Sequence, residues 1–292
     1  MDDVFEQARP FLRGLAYRML GRVTDADDIL QDAWLRWRDV AHAEVREPRA
    51  FLAQVVTRLC LDHLAAARVR RECYVGQWLP EPLPDERPAA EPSTAVALAD
   101  DLTFALLRLL ETLTPLERAA FLLHDVFEFE FADVAAALGR SAASCRQLAS
   151  RARRHVHAAR PRFAVTPEDG ARLCRAFAAA VAARDAAALA ALFTDDVVFH
   201  ADGGGIAAAV PAPVAGAAQV ARVIIGFAKG YVPGTFEIAF GALNGTPAMG
   251  VYADGGTLRQ VMLFETAPDG RIAACYVQRN PQKLRHLAGW RP

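Results

Sequence analysis

Residues 138–156 read LGRSAASCRQLASRARRHV, and five arginines (Arg140, Arg146, Arg151, Arg153 and Arg154) gather there in a chain whose formal net charge is only −1. The pattern around them is helical. Phe131–Leu138 (FADVAAAL) reads as a short helix, Gly139 as the residue able to take positive φ at its end, and Ser141 as the N-cap of a second helix. In that second helix Cys145, Leu148, Ala149, Ala152 and Val156 fall on one narrow face. Arg146, Gln147, Ser150, Arg151, Arg153 and Arg154 fall on the other, with Arg140 and Ser144 near its start. Two helices joined by a short glycine turn, the second apolar inside and Arg/Gln outside, make the helix-turn-helix pattern. From Phe131 to Arg160 six arginines stand against one carboxylate, Asp133, a local charge of +5. A solvated basic helix would share that charge. Arg and Gln are also the side chains that contact guanine and adenine edges in pairs of hydrogen bonds, so the arginines mark a candidate DNA-reading surface.

Outward from this stretch the chain divides at two composition breaks. Gln77–Pro92 holds Pro80, Pro82, Pro84, Pro88 and Pro92 among charged residues, which suits an extended linker. Pro161–Gly170 is the second break. At 292 residues two or three domains are expected, bounded here at 1–75, 76–99 (linker), 100–160 and 165–292. Before the linker three helices are predicted. The first carries Phe11, Leu15, Met19 and Leu20 and ends at Gly21; the second takes Thr24 as N-cap, Asp25, Asp27 and Asp28 in its first turn, then Ile29, Ala33, Trp34 and Trp37; the third runs from Pro48 through Phe51, Leu52, Val55, Val56 and Leu59. It continues into Arg68, Arg70 and Arg71. No strand pattern appears before about residue 196.

Several classes are disfavoured. The start, MDDVFEQARP, is acidic and without an apolar core, so no signal peptide is expected, and Gly203–Ala221 is too weakly apolar and proline-broken for a membrane span. Five cysteines (Cys60, Cys73, Cys145, Cys174 and Cys275) are scattered with no C-x-x-C spacing, which argues for reduced core thiols in the cytoplasm. No metal and no cofactor are expected.

Leu113–Val156 resembles the promoter-binding fourth region of bacterial sigma factors. Phe11–Trp37 with Pro48–Leu64 resembles the second region, and the two in this order over most of residues 1–160 are similar to extracytoplasmic-function sigma factors. The resemblance implies that the Asp25–Arg38 helix docks on the β′ clamp helices of RNA polymerase core, with Asp27, Asp28, Gln31 and Trp34 as contacts and the β subunit as a further partner. Trp37 is either a second anchor or core. It implies that the loop Val40–Glu47 and the next helix, with Arg58, Asp62, His63, Arg68, Arg70 and Arg71, handle the −10 element, where a base is exposed from single-stranded DNA. Arg58 is a departure, since many relatives carry Asn there. The Arg146–Arg154 face would enter the −35 major groove.

Residues 165–292 begin with a helix over Pro167–Leu192, then VVFHADGGG, a helix near Ala217–Lys229, and strand-like runs FEIAFGAL, PAMGVYAD, LRQVMLFE and RIAACYVQ. That order predicts an α+β domain with a curved antiparallel sheet, behind two all-α domains. It resembles the SnoaL-like group of the nuclear transport factor 2 fold, and more narrowly the sigma factors that carry such a domain at the C-terminus. The matches are WLPEP (Trp78, Leu79, Pro80 to Pro82), DGGG (Asp202, Gly203, Gly204 and Gly205) and NPQKL (Asn280, Pro281, Gln282, Lys283 and Leu284), with Ile206 where the usual pattern has lysine. These segments are expected to regulate the DNA-binding regions in cis, holding the C-terminal domain against them. A small-molecule ligand in that domain is one candidate partner. His200, Asp202, Tyr252, Asp254, Glu265 and Tyr276 would be the acid–base candidates if the domain were instead an isomerase or hydratase fused to a DNA-binding module.

Overall fold

A computed structural model describes residues 2–41, 45–72, 74–85, 103–158, 165–230, 232, 234–253 and 255–292, with the side chains at 2, 67–72, 157 and 158 outside that set. Among the described residues, those of 1–73 and 106–160 form one compact unit and those of 74–89, 103–105 and 161–292 a second.

The first unit is all helix. Helices α1 (Asp2–Leu20), α2 (Val23–Arg38) and α3 (Pro48–Glu72) close around Leu12, Leu15, Met19, Ile29, Leu30, Trp37, Leu52 and Val56, all buried. Trp37 is thus core. Gly21 at φ 71 turns the chain sharply enough that Arg22, not Thr24, becomes the N-cap of α2. Val23 is driven into the core by that turn, and Asp25 is the one acid left in the first turn. Helices α4 (Phe104–Thr112), α5 (Pro115–Phe121), α6 (Phe131–Leu138) and α7 (Ala142–Ala158) follow, with a π-helical turn at Leu122–Val126. Pro115 at N1 and a reciprocal Thr114/Glu117 capping box fix the start of α5.

Within this unit α3 lies on α6, and the N-terminal helices pack on the turn after α5. The Phe11 ring meets Phe127 edge-on at 4.9 Å and Phe129 at 5.9 Å, and the Arg49 guanidinium covers Phe11 and Phe129 at 4.9 and 5.3 Å. Buried Arg118 donates to the Met19 carbonyl at the C-terminal end of α1, where a cation complements the helix dipole.

The second unit is a cone of helices on a sheet. It contains α8 (Pro167–Ala182), α9 (Ala186–Ala191), β1 (Phe193–Asp202), β2 (Val214–Ala215), α10 (Ala217–Ala228), β3 (Phe236–Leu243), β4 (Thr246–Ala253), β5 (Thr257–Thr266), β6 (Ile272–Gln278) and α11 (Pro281–Leu284). The expected single helix over 167–192 is two. Arg184 takes φ 56, and the Asp185 carboxylate accepts from the Ala187 and Ala188 amides, starting α9 afresh. The sheet runs β2-β1-β6-β5-β4-β3 and is open. The four-strand meander is antiparallel as expected, but β1 joins β6 in parallel, so the sheet is mixed.

Strands β4 to β6 carry long buried runs and not a two-residue alternation. Both faces are covered. Helices α8 and α10 close the concave face around Phe177, Phe199, Val220, Met249, Met262 and Phe264. The other face receives residues 74–85, Phe104 and the C-terminal turn around α11, as hydrogen bonds from Leu79, Phe104 and Lys283 show.

Candidate nucleic-acid interface

The helix-turn-helix forms as its residues dictate. Gly139 ends α6 in the left-handed conformation (φ 62, ψ 38), and Ser141 Oγ accepts from Ser144 N at 3.2 Å to open α7. Cys145, Leu148, Ala149 and Ala152 are buried on α6 and α5, while Val156 is partly covered. Arg140, Arg146, Gln147, Ser150, Arg151 and Arg154 are exposed; Ser144 and Arg153 are half-buried. The face is not a uniform comb of cations. Arg151 Nε pairs with Glu117 Oε1 at 2.8 Å, Arg153 pairs with Asp125, and the Arg146 guanidinium sits 5.3 Å over Phe131. Burial alone would raise the Glu117 carboxyl, but hydrogen bonds from Thr114 and the Arg151 guanidinium hold it below its ordinary value. Glu117 and Asp125 are contributors that the composition count did not single out. The Thr114-x-x-Glu117 spacing before an apolar run was the available signal for Glu117.

The groups expected at the −10 element separate. Arg58 Nε and Nη2 donate to the Ala137 and Ala136 carbonyls at 3.2 and 2.8 Å, capping the C-terminal end of α6. His63 Nε2 lies 3.2 Å from Asp25 Oδ2, which ties α3 to α2, and Asp62 is exposed. The side chains of Arg68, Arg70 and Arg71, and residues 42–44 of the expected pocket loop, lie outside the described residues. On α2, Asp27, Asp28 and Gln31 are exposed and Trp34 is half-buried under the Arg38 guanidinium at 5.4 Å, while Asp27 pairs with Arg13 at 2.9 Å. These four residues share one outward face.

In the second unit WLPEP, DGGG and NPQKL meet. Asp202, fully buried at the end of β1, is the hub. Its Oδ1 accepts from Tyr74 Oη at 2.5 Å and Gly204 N at 3.0 Å; its Oδ2 accepts from Leu79 N at 2.9 Å and Lys283 Nζ at 2.8 Å. Lys283, 2% exposed, also donates to the Leu79 carbonyl at 2.6 Å and lies 3.2 Å from the Trp78 ring centre. Gln278 Nε2 reaches the Leu79 and Pro80 carbonyls at 3.5 and 3.4 Å.

The backbone explains the glycines and the turn. Gly204 takes φ 60, and a Cβ there would stand 2.1 Å from Asn280 Nδ2. Asn280 caps α11 through its Oδ1, which accepts from Gln282 N at 3.0 Å, with exposed Pro281 at N1 and buried Leu284 at the end. Gly203 is buried and Gly205 exposed at φ 72. Ile206, in the place of the family lysine, is 58% exposed and plays no part in the cluster. Further along, His286 Nε2 contacts the Pro82 carbonyl at 2.6 Å, and Leu83 pairs with Asn244 through two hydrogen bonds at 2.7 and 2.9 Å. Residues 74–85, which include the WLPEP stretch of the expected extended linker, are therefore clamped along this unit. Tyr74, Gln278 and His286 were missed from sequence.

The acid–base candidates do not converge in the cone. On β1, Phe199 and Ala201 face the cavity, so His200 and Asp202 face the clamp, as a period of two requires. His200 Nδ1 meets Gln77 Oε1 at 2.9 Å, Glu265 Oε2 accepts from Tyr276 Oη at 2.7 Å, and Tyr252 donates to the Trp290 carbonyl. Asp254 lies outside the described residues. No described group of His, Cys, Asp and Glu is arranged to hold a metal ion, and no described helix is long and apolar enough to cross a membrane.

Comparison with known proteins places three families along the chain: sigma-70 region 2 at residues 4–70, sigma-70 region 4 at 103–156 and a SnoaL-like domain at 174–275. Over 289 residues the chain is 40% identical to the ECF RNA polymerase sigma factor SigJ of Mycobacterium tuberculosis, covering 96% of this chain and 92% of that protein. It is 30% identical over 304 aligned positions to the ECF RNA polymerase sigma factor SigG of the same species, covering 91% and 79%. The crystal structure of Mycobacterium tuberculosis SigJ matches with a TM-score of 0.74 at 37% identity, covering 97% of this chain and 98% of that one.

Proposed function

The chain belongs to the extracytoplasmic-function RNA polymerase sigma factors, and from that premise we propose that its SnoaL-like unit controls in cis how regions two and four meet promoter DNA. As an alternative sigma factor it directs the polymerase core to promoters. The outward face of α2, with Asp27, Asp28, Gln31 and Trp34, is the surface for the β′ clamp helices, and the β subunit is a second contact. The exposed face of α7 reads the −35 element, and α3 handles the −10 element; the work takes place in the cytoplasm.

One observation carries the control. The buried Asp202–Lys283 pair fastens residues 74–85 to the SnoaL-like unit, and these residues connect region two to region four. The packing of Arg58 on α6 and of Phe11 on Phe127 and Phe129 supports a closed resting arrangement of the two regions. Promoter binding needs them at the promoter's own spacing, so the clamp biases the population of competent molecules. Each ~1.4 kcal/mol of bias is about tenfold.

The rival reading, an isomerase or hydratase, would need acid–base groups around the cavity. The cavity wall includes no carboxylate among the described residues, and the groups able to move protons face the clamp. Transcription from a cognate promoter by purified core polymerase is the test, comparing the full chain with Lys283→Met and Leu284→Ala at matched folded concentration. We expect a several-fold change in promoter output with unchanged −35 affinity. Equal output from all three proteins would refute control by the clamp.

A further inference from the structure

The concave side of the SnoaL-like unit encloses a cavity of about 270 Å³ between α8, α10 and the sheet. Its wall is aromatic and aliphatic, with side chains such as Phe199, Phe227 and Met262. Among the described lining residues only Gln260, Arg184 and Arg279 have polar side chains, and none is acidic. Of the two arginines, Arg184 is exposed and Arg279 is half-buried.

Arg279 is the informative one. It follows β6, where the strand's alternation turns Val277 and Arg279 inward and Gln278 toward the clamp. Its backbone is fixed, because Arg279 N donates to the Asp202 carbonyl at 2.7 Å. Its guanidinium lies 5.7 Å from the Phe227 ring centre and donates through Nη1 to the Ala208 carbonyl. Nε is buried with no acceptor, and among the described residues no carboxylate pairs with Arg279 or with Arg184. Arg279 is half-buried, with Nε cut off from water, and a guanidinium beside an apolar wall keeps donors that an anion can take. Charge complementarity therefore asks for an anion, and the rest of the wall asks for an apolar body.

We propose that this cavity binds an apolar monocarboxylate of medium chain length, with the tail among the aromatic and aliphatic side chains and the carboxylate on Arg279. At native packing density the space holds roughly a dozen heavy atoms, the size of a medium-length chain with its carboxylate. The site is separate from the clamp and does not depend on the control reading above. The Phe199 and Ala201 side of β1 lines it, whereas Asp202 on the same strand holds residues 74–85.

The test is calorimetric titration of the full-length protein with sodium decanoate, well below its micelle concentration, beside 1-decanol and decyltrimethylammonium. Decanoate should bind at one saturable site with a Kd on the order of 0.1 mM. Arg279→Gln should weaken decanoate by about tenfold or more and change decanol little, because it removes the charged donor and leaves the apolar wall. Ala209→Leu, which fills the cavity from a partly buried position, should weaken both and keeps the proposal testable if the arginine variant fails to fold. The proposal is overturned if decanoate shows no binding at about 1 mM. It is equally overturned if the cationic surfactant matches decanoate, or if decanoate binds the folded Arg279→Gln or Ala209→Leu protein as tightly as the parent.

Discussion

Replacing Lys283 by alanine should loosen the clamp more than any other single change in the SnoaL-like unit. The substitution leaves Asp202, fully buried, without its cation. Breaking one side of a buried ion pair costs about 3–5 kcal/mol. Four donors remain on Asp202, namely Tyr74 Oη, Leu79 N, Gly204 N and Gln278 Nε2, and these pull the cost toward the lower end. The lost contact with the Trp78 ring adds about 1–2 kcal/mol, so a total near 4 kcal/mol is expected. For a unit of this size that is a fall of roughly 10–15 °C in Tm. Scanning calorimetry on the full chain can follow it, provided the two units are fitted as separate transitions. Amide exchange at Leu79 and Leu83, whose N–H groups are held by Asp202 and Asn244, should rise in parallel.

Two further variants separate charge from packing. Lys283→Met keeps most of the volume and should cost about 3 kcal/mol, nearly all of it from the stranded carboxylate. Adding Asp202→Asn to Lys283→Met should recover more than half of that loss, since the pair is then removed together. A Tm within about 2 °C of the parent for Lys283→Ala, with unchanged exchange at Leu79, would show that the pair does not hold the segment.

On the recognition face, alanine at Arg146, Gln147 or Arg151 should each cost ~1–3 kcal/mol of −35 discrimination in competition binding. Alanine at Arg153 or Arg154 should weaken all sequences alike and flatten the salt dependence; unchanged preference in the first set would reassign the face. Trp34→Ala with Asp28→Ala should reduce association with core polymerase while circular dichroism stays native, and normal holoenzyme assembly would remove α2 from that role. Burial pushes the Cys174 thiol up to about 12, and Cys60 and Cys275 in the same direction. The folded chain thus keeps protons that the unfolded chain loses, and the stabilisation is complete below about pH 9 and lost as pH rises from 9 through 12. The unfolding free energy from denaturant titrations should fall by about 1.4 kcal/mol per pH unit for each such thiol, and Cys174→Ala should reduce that slope; an identical slope would contradict the assignment.

How far the sequence could be read depended on the range of the interaction. FADVAAAL, Gly139 and the two faces of α7 are set by neighbours within a turn or two, and their helical signal survives folding. The start of α2 is a local feature too, yet Thr24 looked the better cap than Arg22 because the side-chain preference ignores where Gly21 aims the chain. The three motifs of the clamp could be picked out as segments, whereas Tyr74 and Gln278 could not. Tyr74 is 128 positions from Asp202, and no local pattern marks a tyrosine for a distant carboxylate. The strands were harder. A period of two in β1 puts His200 and Asp202 on one face and Phe199 and Ala201 on the other, but both faces are covered, so parity alone does not say which one looks into the cavity. That ambiguity is what made an acid–base site conceivable in the first place.

The basic residues show the same limit at the level of charge. Counting six arginines against Asp133 described a surface waiting for phosphate. In the folded unit, Arg58 sits on the carbonyl end of α6, Arg151 on Glu117 and Arg153 on Asp125. A guanidinium committed to those oxygens has fewer donors to offer a phosphate or a base. On the proposed reading the internal acceptors occupy, in the resting protein, the place that DNA takes in the active one. The exchange is close to balanced for the half-exposed pairs, because such pairs are worth about 1 kcal/mol or less in water. It is less balanced for Arg58, whose two bonds also join α3 to α6. On that same reading, release of Arg58 requires regions two and four to separate, which would couple its proposed DNA contact to the spacing between the regions through one side chain.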